Sequence, residues 1–211
     1  MNYTDESDGL IKSYPQLSAL KAALEQARDA LVECFKNGNK LLLAGSGGSA
    51  ADCEHIAGEM IKEFKLKRKR DKEFDARFLR RFPNDGALLG LLAQGLPVVS
   101  LVSGVAINTA ILNDVGGGAL YAQKLYALGK KGDVFLAIST SGNSEPLIAA
   151  LKVALSAGLK TIALTGAGGG KMKEYADILI DVPQTETYRV QELHLPVYHY
   201  LCAAVERGLF L

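Results

Sequence analysis

Two separated residue pairs in this 211-residue chain have the types and spacing for a metal or acid/base site: His55-x-x-x-Glu59 and Gln191-x7-His199. A spacing of four puts an imidazole and a carboxylate on one helix face, within reach of a common ion or substrate. A spacing of eight returns to nearly the same face two turns later. Such a pair on its own more often caps a helix or sits on a surface, so the weight lies in what surrounds it.

Two loops supply that weight. Gly45-Ser46-Gly47-Gly48-Ser49 follows a short apolar run, and Ser139-Thr140-Ser141-Gly142-Asn143-Ser144 follows another. The second offers four hydroxyls and an amide in six residues directly before a helical pattern. Side-chain donors, unpaired backbone N–H groups and the positive end of a helix dipole together make a phosphate cradle. No Gly-Lys-Ser/Thr follows either loop and neither reads Gly-x-Gly-x-x-Gly, which disfavours nucleotides and favours a sugar monophosphate.

The elements that must hold these groups read as an α/β repeat. Apolar runs at Lys40–Ala44, Pro97–Val102, Val134–Ile138, Thr161–Leu164 and Ile178–Val182 alternate with helical segments. Runs apolar throughout and joined by helices predict a doubly wound, five-stranded parallel sheet flanked by helices, with ligands bound beyond the carboxyl ends of the strands. Before the first strand, Leu20, Leu24, Ala27, Leu31 and Phe35 recur at helical spacing. They predict an N-terminal amphipathic helix over about 16–36, outside the sheet, suited to packing on the domain or on a second subunit.

Length and a hydrophobic content of 48% suit a single domain over 1–211. A net charge of +1 gives no field toward nucleic acid or an anionic membrane. No stretch reaches the roughly 18 apolar residues of a membrane span, and Met1–Tyr14 has no apolar core for a signal peptide. Cys34, Cys53 and Cys202 are odd in number, widely spaced and in apolar contexts, as expected of reduced thiols in the cytoplasm.

Gly45 to Ala50, the Ser139–Ser144 run, Thr165-Gly166 with Gly169-Gly170-Lys171-Met172, and Arg189-Val190-Gln191-Glu192-Leu193-His194 together resemble the SIS (sugar isomerase) domain, most closely its phosphoheptose isomerase branch. The resemblance covers about 17–206 apart from one insertion. It implies an aldose–ketose isomerase that converts sedoheptulose 7-phosphate to a heptose 7-phosphate through an enediol, as a cytoplasmic homotetramer. It also implies one zinc ion per subunit on His55, Glu59, Gln191 and His199, with Glu59 and His199 as acid/base groups. Ser46, Gly47, Gly48, Ser49, Asp114, Ser139, Thr140, Ser141, Ser144 and Gln191 would bind the substrate. The types fit: an enediol route needs a group that takes a proton from carbon, a donor for the oxygens and something to stabilise the enediolate.

The sequence also departs from that pattern. Ser46 replaces the usual Asn, Glu63 and Tyr188 stand where similar enzymes often carry Arg and Asp, and Pro196 falls between Gln191 and His199. A proline there removes a backbone hydrogen bond and bends a helix, which could displace His199. His194 reads as a packing or surface histidine. The insertion, about 65–96, opens with Lys65, Lys67, Arg68, Lys69, Arg70 and Lys72 and continues through Arg77, Arg80 and Arg81. It reads as a solvated hairpin, or as a rim that supplies the cation missing at Glu63. Alternative functions are a non-catalytic SIS module that binds a sugar phosphate or a protein partner, and an isomerase of another sugar phosphate. A binding module has no use for the His55, Glu59, Gln191 and His199 set.

Overall fold

The structure, a computed structural model, describes residues 4–211. Met1 to Tyr3 of the acidic N-terminal segment therefore lie outside the described residues. Five strands, β1 (Leu41–Gly45), β2 (Val98–Ser100), β3 (Val134–Ser139), β4 (Lys160–Thr165) and β5 (Ile178–Asp181), form one parallel sheet in the order β2-β1-β3-β4-β5. Every residue of β1 and β3 is buried, as expected of strands covered on both faces. Alternate residues serve separate cores. Leu41, Leu43, Leu136, Ile138, Ile162 and Leu164 face one helical layer, and Leu42, Ala44, Phe135, Ala137 and Ala163 the other.

The chain starts with α1 (Thr4–Ser13), a 3-10 stretch (Pro15–Leu20) and α2 (Lys21–Lys36), so the single helix expected over 16–36 is two pieces. The apolar stripe of α2 does not await a second subunit. Leu24, Ala27, Leu31 and Phe35 are buried in the core shared with Val197 and Leu201 of the last helix and Ile178 and Ile180 of β5. The stripe showed that the helix needs a partner; its own sheet and last helix are that partner.

After β1 comes α3 (Gly48–Ile61), and after β5 comes α9 (Thr187–Phe210). Both lie on the same face of the sheet and pack on each other. Pro196 is buried within α9, which continues through it as one helix. On the other face lie α7 (Leu120–Leu128) and α8 (Glu145–Ser156).

The insertion folds as α4 (Lys72–Arg81) and α5 (Gly86–Leu91). No residue of α4 is buried, and Phe74, Phe78 and Phe82 stack along it at 6.2 and 5.2 Å between centroids. Its root does not face the Gly/Ser loops. Lys69, Arg70 and Asp71 share a cavity with Gly38 and Pro97, just before β1 and β2, at the amino edge of the sheet. Nor is the whole run solvated, because Arg68 is buried.

Candidate active site

The first loop turns directly from β1 into α3. A Cβ on Gly45 would overlap the Ser49 carbonyl, and Gly47 adopts φ +61°, so only glycine fits this sharp entry. Ser49 is buried, Ser46 is exposed, and the Tyr121 hydroxyl from α7 donates to the Gly45 carbonyl and lies 3.3 Å from Ser46 Oγ. Tyr121 sits among apolar helix residues, which hid its part in shaping this loop.

The second loop ends at Ser144, the N-cap of α8. Gly142 has φ +64°, and a Cβ there would overlap the Gly169 carbonyl. Asn143 donates to the Ser141 carbonyl (2.9 Å) and accepts from Lys171 N (3.0 Å), while Met172 N donates to the Gly142 carbonyl (2.9 Å). The loop after β4 thus braces the loop after β3. Ser139 is buried, while Ser141 and Asn143 are exposed. Since β1 and β3 are neighbours and the connections diverge there, both loops lie at the switch point of the sheet.

Along the α3–α9 contact, His55 Nε2 lies 3.4 Å from Glu59 Oε1, and the His55 ring meets the His199 ring edge-on at 5.0 Å between centroids. Phe64 packs against His199 at 5.7 Å. Burial, reinforced by His55 nearby, pushes the His199 pKa down, so its imidazole is neutral near pH 7. Glu59 is only 14% exposed and pairs with the Lys62 ammonium. His55 Nδ1 lies 3.0 Å from the Tyr198 hydroxyl, which also faces the Asp52 carboxylate. Asp52 is three residues before His55, a spacing that could have revealed it; Tyr198 carried no comparable signal.

The structure thus brings His55, Glu59 and His199 together despite Pro196. Gln191 reaches the start of α3, where a Cβ on Gly48 would overlap its Nε2. Asp114 ends α6 (Val105–Asp114), exposed and hydrogen-bonded by Asn113, and α6 packs chiefly on α7 rather than on α3 or α9. The donor types suit zinc, but among the described residues no three His, Cys, Asp or Glu converge into a ready ligand set. His194 proves to be a packing histidine. It is fully buried with no hydrogen bond of normal length, and burial pushes its pKa down to about 4, tempered by the Thr165 backbone.

The SIS domain model matches residues 2–74 and 78–166. The phosphoheptose isomerase of Aneurinibacillus thermoaerophilus is 41% identical over 187 residues, 89% of this chain and 82% of that one. The chain belongs to the phosphoheptose isomerase family of SIS-domain proteins. The solved phosphoheptose isomerase of Neisseria gonorrhoeae superposes with a TM-score of 0.74 at 32% identity, covering 97% of this chain and 95% of that one. That of Francisella tularensis gives 0.77 at 29% identity, covering 98% of this chain and all of its own.

As a phosphoheptose isomerase family member the chain employs its departures locally. Glu63 accepts from Lys67 Nζ (2.8 Å) and Arg68 N (2.9 Å), so it shapes the turn after α3. Tyr188 is exposed at the start of α9, with the Arg189 guanidinium 4.9 Å above its ring.

Proposed function

We propose that the chain interconverts sedoheptulose 7-phosphate and a heptose 7-phosphate through an enediol, with Glu59 and His199 as its acid/base pair. The carrying observation is the meeting of His55 and Glu59 on α3 with a neutral His199 on α9. The phosphate is held at the carboxyl edge, by the N-termini of α3 and α8 and by Ser46, Gly47, Gly48, Ser49, Ser139, Thr140, Ser141 and Ser144. Glu59 removes the proton from C1 of the ketose while His199 serves the oxygens, protonating O2 and accepting from O1. Return of the carbon-bound proton from Glu59 to C2 completes the aldose.

His55, Glu59 and His199 would hold a zinc ion, one per subunit. A bound zinc supplies polarisation of the carbonyl and stabilisation of the enediolate. Gln191 would complete the set expected from resemblance and, beside Gly48, would serve the substrate at the loop. Asp114 would reach a substrate from an element outside the α3–α9 contact.

The assembly we propose is a cytoplasmic homotetramer. Its contact surface is not α2 but α6, which buries no residue and exposes Val105, Ile107 and Leu112, with Val115 just beyond. The three cysteines are free and buried, in keeping with a reducing compartment. Among the described residues no helix is long and apolar enough to cross a membrane.

Incubation of the purified protein with sedoheptulose 7-phosphate tests the reading: the ketose should convert to an aldose 7-phosphate, and no conversion with zinc present rejects it. Light scattering at micromolar concentration should report four subunits, and a monomer would reject the assembly.

A further inference from the structure

An ion pair outside the substrate groove ties the two halves of the site together. Arg68 Nε lies 2.8 Å from Glu206 Oε1, and both side chains are 0% exposed. Arg68 also donates through Nη1 to the Met60 carbonyl at 2.6 Å, and to Gln94 at 3.4 Å, and through Nη2 to the Glu59 carbonyl at 3.2 Å. Glu206 accepts from three successive amides, Phe64 (3.0 Å), Lys65 (2.8 Å) and Leu66 (2.9 Å). We propose that Arg68 and Glu206 are positioning residues that fix Glu59 and His199 relative to each other without touching substrate.

The geometry explains why such a pair is worth keeping. A buried ion pair is weak evidence for stability, since a packed apolar pair often does as well. The hydrogen bonds here have a second effect. Helix α3 ends at Ile61, so the carbonyls of Glu59 and Met60 are among the four that its own helix leaves without partners. The Arg68 fork donates to both, with Leu96 N also on the Met60 carbonyl (3.1 Å), which fixes the last turn of α3 from which Glu59 projects. Glu206 stands seven residues after His199, on nearly the same face of α9 two turns on. By holding the amide of Phe64, it keeps that ring against the His199 imidazole at 5.7 Å. Burial raises the Glu206 pKa, but the amides of Phe64 and Lys65 and the Arg68 guanidinium outweigh it, keeping the carboxylate ionised. Sequence reading placed Arg68 in a solvated basic run, because its partner is 138 residues away.

The inference rests on Glu59 and His199 being the acid/base pair, and the test separates the two claims. The double variant Arg68→Met/Glu206→Leu replaces the ion pair by apolar groups of similar volume. It leaves the amides of Phe64, Lys65 and Leu66 and the Glu59 carbonyl without these partners, so it should melt below the wild type. Measured below its own melting temperature, kcat should fall about 10- to 100-fold with KM within about twofold, since a misplacement of about 1 Å is that costly. Arg68→Lys keeps the buried charge but loses the fork, and should show a smaller fall in kcat with the same split. Wild-type kcat in either variant, measured below its melting temperature, overturns the proposal. Failure of both to fold would mark the pair as purely structural and also overturn it. Glu59→Gln is the parallel control. If it is inactive while the paired variants are fully active, only the positioning claim falls; if it is itself active, the acid/base reading falls.

Discussion

The Tyr198 hydroxyl lies 3.0 Å from His55 Nδ1, so the residue before His199 on α9 orients the imidazole that α3 presents. His55 Nε2 in turn lies 3.4 Å from Glu59 Oε1, so a contact on each ring nitrogen fixes the direction of the imidazole. Groups that fix a ligand's tautomer and direction typically matter about 10- to 100-fold in metal affinity.

Tyr198→Phe should therefore keep the fold and lower zinc affinity about tenfold or more, read by competition with a chromophoric chelator. Wild-type protein purified without chelator should carry one zinc per subunit. Equal affinity in the variant would show that Tyr198 only packs.

Much of the fold was legible because strands buried on both faces read as unbroken apolar runs, and all five appear within a residue or two of their expected bounds. The histidines and Glu59 were legible because a spacing of four fixes both the face and the height on a helix. A spacing of eight keeps the face and sets the two residues about two turns apart along α9, so Gln191 sits by Gly48 while His199 sits by His55. The stripe on α2 announced a partner without naming it. Burial of Arg68 depended on Glu206, at the far end of the chain, and no local pattern reports such a pair.

The neutral, buried His194 gives stability a pH dependence of known sign. Its folded pKa is about 4, whereas an unfolded histidine titrates near 6.5. Between those values the unfolded chain binds more protons, so stability should be complete above about pH 6.5 and decline as pH falls toward about 4. Urea melts across this range should show the decline, and His194→Gln should flatten it. An unchanged slope in the variant would assign the effect to other groups.

The basic helix α4 should not contribute to substrate binding. Arg77 is 60% exposed and pairs loosely with Asp71 at 4.0 Å and Glu73 at 3.6 Å, while the root of the segment lies at the amino edge of the sheet. The triple variant Arg77→Ala/Arg80→Ala/Arg81→Ala should keep KM for the sugar phosphate within about twofold and shift the melting temperature little, as expected for exposed pairs. A fivefold or larger rise in KM would place α4 beside the substrate after all.

The most direct test of the account is the rate of sedoheptulose 7-phosphate isomerisation by Glu59→Gln and His199→Ala, at matched melting temperature, beside the wild type. Loss of a group that moves the proton should lower kcat by at least about 100-fold in each variant. A near-normal rate in either would contradict the assignment of the chemistry to the α3–α9 contact.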